Sequence, residues 1–318
     1  MSSRSRHLLF AALMLIAFAA AAFTVFNRPV AAAFAVSTVG LSPSEKLPPP
    51  QVVSNFAPPP GLNARFVSGR PGQAVHAPSI VELRDGGLRA VWFSGSREGA
   101  GDVTVQTAVI KPGYQGWEAE TTLFNRPQLA RGLWRYVKKI GNPVIARAPD
   151  GSLHLWVVNV SLGGWAGSAI TWARSNDEGV TWSTPKRLVT SPFLNISTLV
   201  KGAPVAMTNG SISLPVYHEF ITKFGEILQI SAQGQVTGKT RIPGSHTSLQ
   251  PTILVTNPLE AKAYMRAGHG GKVVMSSTAD GGVTWGQASS MNVPNPDSAL
   301  AGLIASTGDK WLDRKSVV

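Results

Sequence analysis

The strongest constraint on what this 318-residue chain can fold into is an eight-residue pattern that occurs twice. Ser175-Asn176-Asp177-Glu178-Gly179-Val180-Thr181-Trp182 and Thr278-Ala279-Asp280-Gly281-Gly282-Val283-Thr284-Trp285 share the form S/T-x-D-x-G-x-T-W. In a tight hairpin turn such an Asp accepts backbone N–H groups of its own turn, and the Gly takes a positive φ that most residues avoid. The Trp supplies a large apolar body to set against a neighbouring sheet. These residues therefore read as structural, not catalytic.

The two Trp residues lie 103 positions apart (285 − 182), about two units of a ~50-residue β-repeat. The unit between them is the strand-like run 211–235, whose turn lacks the pattern. Upstream, Val103 to Ile110 followed by Gly113 and Trp117 is a degenerate copy. Apolar and β-branched runs recur at Leu88–Phe93, Leu153–Val160, Ser213–Tyr217, Thr252–Val255 and Lys272–Met275, most of them bounded by Gly, Asp or Pro. No long helical period follows residue 66. With 32 Gly, 23 Pro and only 14% charged residues, the chain reads as all-β, a propeller of four-stranded blades. Residues 66–318 supply about 253 positions, enough for four to five such blades.

The N-terminus reads as an address. Arg4 and Arg6 precede an uncharged, apolar run from Leu8 to Phe26, long enough to span a bilayer. Ala33-Phe34-Ala35 offers a small-residue cleavage pattern, so residues 1–35 are a signal anchor or a cleaved signal peptide, the anchor being slightly favoured. Two arginines before the run against one after it place the body outside the cytoplasm. It is then either held at the inner membrane facing the periplasm or secreted. Residues 36–65, with Pro48-Pro49-Pro50 and Pro58-Pro59-Pro60, read as a semi-rigid linker before a globular part at 66–318.

The formal net charge of +12 contains no block of five or more Lys or Arg, and no nucleic-acid motif accompanies it. Scattered surface charge or an acidic substrate fits better than nucleic acid. The absence of cysteine excludes disulfides, thiolate metal sites and Cys nucleophiles. Six scattered His show no metal-ligand spacing. Neither a metal nor another cofactor is expected.

His76-Ala77-Pro78-Ser79-Ile80-Val81, Trp92-Phe93-Ser94-Gly95-Ser96-Arg97-Glu98-Gly99 with Asp102-Val103, Ile140-Gly141-Asn142-Pro143, Leu214-Pro215-Val216-Tyr217-His218-Glu219, Gln250-Pro251-Thr252 and Asn295-Pro296-Asp297-Ser298 resemble bacterial sialidase (neuraminidase)-like proteins with BNR, or Asp-box, repeats. The likeness covers roughly residues 70 to 300. It implies a six-bladed sialidase-type β-propeller, of which this chain carries four to five blades. It also implies three arginines on a substrate carboxylate, an Asp acid/base and a Tyr nucleophile activated by a Glu. His76-Ala77-Pro78 stands where the family's first arginine is expected, and Arg266 matches the place of the second. Nothing before Val318 matches the third arginine or the late Tyr, so the resemblance implies a C-terminal truncation or divergence after about Leu303.

Elimination among 17 carboxylates leaves few candidates for chemistry. Asp177 and Asp280 belong to the repeats, and Asp85 and Asp150 precede Gly in hairpin turns. Asp297 reads as structural, while Glu178 and Glu226 read as solvated. Arg97, Glu98 and Asp102 share one Gly-rich loop, where an Arg beside an acid tunes its charge. Tyr217 and Glu219 stand two apart on a strand and so share a face, as a nucleophile and its base would. Asp102, Glu98, Glu219 and Tyr217 are thus the candidate catalytic residues. Arg97, Arg266 and His76 are the candidate substrate-binding residues. Two functions remain open: a sialidase-like exo-glycosidase acting on acidic glycans, and a non-catalytic glycan- or protein-binding propeller tethered at the cell surface.

Overall fold

The computed structural model describes residues 3–26, 32–36, 66–69, 72–114, 116–191, 195–305 and 307–314. The Pro-rich linker assigned to 36–65 falls, apart from Val36, outside them. An N-terminal helix α1 (Ser3–Phe26) is long and apolar enough to cross a membrane, and no part of its apolar stretch is buried against the rest of the chain.

The rest is a propeller in which each blade is an antiparallel meander. The first blade comprises β1 (Ala74–Glu82), β2 (Leu88–Gly95), β3 (Thr104–Ile110) and β4 (Thr121–Phe124). A short helix α2 (Arg126–Leu133) leads to the second, β5 (Lys139–Arg147), β6 (Leu153–Val160), β7 (Ser168–Ser175) and β8 (Lys186–Arg187). In the third, two short inner segments, β9 (Leu199–Val200) and β10 (Val205–Ala206), both pair with β11 (Ile212–His218), followed by β12 (Phe224–Ile230) and β13 (Val236–Arg241). The fourth has β14 (Ser248–Val255), β15 (Ala261–Ala267), β16 (Gly271–Thr278) and β17 (Ser289–Asn295), and a two-stranded sheet of β18 (Leu300–Ile304) and β19 (Lys310–Arg314) comes next. Four full blades and a two-stranded fifth sheet match the four to five read from the sequence.

Consecutive blades are glued by consecutive apolar layers. Val91, Phe93 and Val105 of the first blade meet Ile145, Leu153 and Leu155 of the second. Trp156, Val158 and Trp172 of the second meet Leu214, Val216 and Leu228 of the third. Ile227 and Ile242 meet Ile253, Ala263 and Met265, and Leu254 and Tyr264 meet Leu300. Because β6 is clamped on both sides, all eight of its residues are buried. That explains why Leu153–Val160 is apolar on both faces, interrupted only by the buried His154 and Asn159, where a sheet with one wet face would alternate.

Both eight-residue repeats form the anticipated turns. Asp177 accepts from the Thr181 backbone N–H (2.9 Å) and hydroxyl (2.6 Å), and Asp280 accepts from the same groups of Thr284 (3.0 and 2.5 Å). The bonds from Thr181 hold the Asp177 carboxyl down at about 2. The two Trp residues differ. Trp285 is buried in the layer between the third and fourth blades, whereas Trp182 is only partly buried and packs on the layer between the first and second.

Three local features depart from the sequence expectation. Helix α2 was missed, although Asn125 and Gln128 form a capping box with Pro127 in its first turn. Glu178 is not solvated: it bridges Arg147 (2.6 Å) and Arg84 (3.2 Å), tying the second blade to the first. Glu226 is buried and pairs with Lys239 at 3.2 Å.

Candidate active site

In a meander, connections alternate between the two ends of a sheet. The eight-residue turns mark one end, the underside. The β2–β3, β6–β7, β11–β12 and β15–β16 loops mark the other, the upper mouth.

The inner strands break register at one level. On β1 the break falls between His76 and Ser79, on β5 between Gly141 and Val144, and on β14 between Leu249 and Thr252. Each break holds a residue with positive φ followed by proline: Ala77 (53°), Asn142 (41°) and Gln250 (54°). That backbone is costly for a residue with a side chain, and the following proline restricts it further, so it is sustained only by its surroundings. In the third blade the break is the four-residue run 201–204 between β9 and β10.

Two of these break residues converge on Tyr217. Asn142 Nδ2 donates to its hydroxyl at 3.2 Å and Gln250 Nε2 at 3.5 Å. Arg266 donates through Nη1 to Gln250 Oε1 (3.2 Å) and through Nε to Asp297 Oδ1 (2.7 Å), leaving Nη2 without a protein partner among the described residues. Tyr217 is buried, and burial pushes its phenol well above the ordinary range, only partly opposed by the Gln250 donor, Arg266 and Asn142. Glu219, just past the end of β11, is half-buried and donates its backbone N–H to Ser197 Oγ at 2.8 Å. Burial raises its carboxyl above the usual range. Lys223 and Arg266 pull it down, while Glu98 and Asp297 push it up. Asp297 is held low by its bond to Arg266.

The structure therefore gathers Tyr217, Glu219, Arg266 and Glu98 into one electrostatic cluster. Among the described residues Tyr217 takes its hydrogen bonds from the Asn142 and Gln250 amides and not from Glu219. Asp102 sits apart on the exposed β2–β3 loop. Its oxygens cap Ser96, at 2.9 Å to the backbone N–H and 3.0 Å to the hydroxyl, and the Ser96 backbone bond is the main cause of a lowered carboxyl. Arg97 is exposed and makes no ion pair among the described residues. His76 is exposed on β1, stacked on Phe93 at 5.6 Å. A cleft of about 390 Å³ on the underside, bordered by Ala32, Gln229, Lys239 and Val283, carries none of these groups. No cluster able to hold a metal ion occurs among the described residues.

Sequence reasoning missed Asn142 and Gln250 as the hydrogen-bond partners of Tyr217 and Asp297 as the ion-pair partner of Arg266. Lys201 sits in the third blade's break, where burial alone lowers its ammonium. The available signal was the residue-before-proline pattern recurring at the start of the blades, at Ala77, Asn142 and Gln250.

A BNR repeat-like domain matches residues 86–313 of the chain. The chain belongs to this family. Among solved structures, the BNR repeat-like chain is similar to the Hadza microbial sialidase Hz136, at 17% identity and a TM-score of 0.60 over 75% of this chain and 52% of that one. A protein of unknown function from Dyadobacter fermentans gives 14% and 0.61 over 76% and 75%. The NanB sialidase from Streptococcus pneumoniae gives 11% and 0.59 over 77% and 56%. At these identities the likeness is one of fold, the sialidase-type propeller, and the chain spans about half the length of the two sialidases. No curated protein matches it.

Proposed function

We propose that this propeller takes an acidic glycan at its upper mouth and acts on it as a sialidase-like glycosidase. The observation that carries the reading is the convergence of Tyr217, Glu219 and Arg266 at the breaks of the inner strands. In this reading Arg266 Nη2 receives a substrate carboxylate, while Asp297 and Gln250 hold the guanidinium in place. Glu219, its carboxyl raised by burial, takes the Tyr217 proton as Oη attacks the anomeric carbon. The departing oxygen is protonated by Glu98 or Asp102, and water then hydrolyses the glycosyl–tyrosine. Asn142 and Gln250 steady the phenolate as it forms. His76 and Arg97 border the mouth as orienting groups. The propeller works outside the cytoplasm, with α1 as its membrane anchor or signal.

Two observations favour a second reading, a glycan-binding propeller without turnover. Arg266 is already neutralised by Asp297, and Asp102 is spent on Ser96. A single experiment separates the two. The full chain is assayed on a chromogenic sialoside and, in parallel, titrated calorimetrically with a sialylated oligosaccharide. The enzyme reading predicts turnover that Tyr217→Phe and Glu219→Gln each reduce by at least about a hundredfold, since members of a catalytic unit fail together. Binding lost in Arg266→Ala, with no turnover in the parent, establishes the second reading.

A further inference from the structure

Residues 32–35, only six positions after the end of α1, are built into the underside of the propeller. Phe34 forms an antiparallel bridge with Met207. The Ala35 N–H donates to Ala206 O at 2.9 Å, Thr208 donates to Ala33 O through its N–H (2.9 Å) and hydroxyl (3.1 Å), and the Phe34 N–H donates to Pro258 O at 2.7 Å. The Phe34 ring is wholly buried among Met207, Ile227, Ile242, Ile253 and Trp285.

The second repeat is shaped to receive this segment. At the position after its Asp the first repeat carries Glu178, with φ 57°, while the second carries Gly281, with φ 71°. A Cβ at Gly281 would lie 3.0 Å from Ala32 O, and one at Gly282 would lie 3.2 Å from Phe34 Cζ. The turn itself tolerates a side chain at that place, as Glu178 proves. At 281 a side chain would also press on the peptide that passes over the turn, which would have to give by a few tenths of an ångström.

We infer that residues 32–35 are a plug that fastens the underside of the propeller to its own uncleaved membrane helix, so that the candidate site opens away from the bilayer. Six residue steps separate Phe26 from Ala32, a span of at most roughly 20 Å. The turns that grip the plug, β10–β11, β14–β15 and β16–β17, lie at the end of the sheets opposite the loops that carry Glu98, Glu219 and Lys223. Cleavage after Ala35 would remove a fully buried aromatic from the layer between the third and fourth blades. The Pro-rich run then joins two segments downstream of the anchor instead of spacing the domain from it. The partner of the underside is the lipid bilayer, and substrates reach the mouth from the far side. This inference does not depend on the glycan reading, because none of its readouts uses activity.

The test uses the full chain expressed with its own helix in a bacterial host. Intact mass and N-terminal sequencing of the membrane fraction are expected to show residues 1–35 retained. A mature N-terminus at Val36 would overturn the proposal. The chain has no cysteine, so in Ala33→Cys/Thr208→Cys the free-thiol count after mild oxidation reads docking directly. It should fall to near zero, and two thiols left free in folded protein would overturn it. Adding Gly281→Glu to that pair should restore both thiols while the eight-residue turn persists, and undiminished crosslinking would refute the role assigned to Gly281. Phe34→Ala should lower the Tm by at least about 6 °C, and an unchanged Tm would count against the plug.

Discussion

His154 offers a test of the interior that is independent of function. It lies on β6 with no exposed surface, wedged between Trp156 and Trp172 at ring-centroid distances of 5.6 and 5.3 Å. Its Nδ1 accepts from Trp172 Nε1 at 3.1 Å, and its Nε2 has no hydrogen-bond partner among the described residues. Burial pushes its pKa down to about 4, opposed by the charge of Asp150 and reinforced by Arg174. In the unfolded chain the same group titrates near 6.5. Because the folded pKa is the lower one, the unfolded chain binds the extra proton. Stability is complete above about pH 6.5 and is lost as pH falls towards 4. A gap of about 2.5 pKa steps corresponds to a loss of about 3 kcal/mol between pH 7.5 and pH 4. The assay is urea unfolding of the full chain in mild detergent across that range, beside His154→Asn, whose amide oxygen can accept from Trp172 but does not titrate. The parent should lose about 3 kcal/mol more than the variant. Parallel pH profiles would show that His154 is not held neutral by burial, and the packing described for β6 would fall with it.

Two further outcomes follow from the fold. Trp285→Ala should cost about 3–5 kcal/mol by denaturant unfolding, and Trp182→Ala distinctly less, because only Trp285 is enclosed. Equal costs would refute the difference drawn between the two repeats. A reporter active only in the cytoplasm, fused after residue 60, should stay silent, and strong activity would reverse the orientation argued from Arg4 and Arg6.

Much of the architecture was legible because propeller blades are local. A turn such as Ser175–Trp182 makes its own hydrogen bonds, and a strand such as Leu153–Val160 announces double-sided burial by carrying apolar residues on both faces, interrupted only by His154 and Asn159. Neither depends on the distant chain. What could not be read was whatever the ring brings together from afar. Glu178 looks solvated in sequence because Arg84 and Arg147, which bind it, lie 94 and 31 positions away. Trp182 and Trp285 look alike in sequence and differ in the fold, because Phe34 packs only beside the second. The candidate site mixes both cases. Tyr217 and Glu219 were found as neighbours, and Arg266 by resemblance. Asn142 and Gln250, 108 positions apart (250 − 142), meet only at the Tyr217 hydroxyl.

The same geometry explains why the site sits where the inner strands break. A regular inner strand spends its backbone on its ladder and turns its side chains into the layers between blades. At the breaks of β1, β5 and β14 the ladder is interrupted, and a residue held at positive φ before proline swings its side chain out of that alternation. Asn142 and Gln250 thereby gain the reach to meet one hydroxyl from two different blades. The strain at these positions is repaid by the layers on either side, which bury Ile140, Val144 and Leu249 immediately around the breaks. Position along the inner strand, more than the identity of the neighbouring residues, decides which side chains enter the mouth. Lys201 lies at that same level in the third blade and is lowered by burial alone. No charged group of the Tyr217 cluster contributes to that lowering, so burial and not the site sets the state of Lys201.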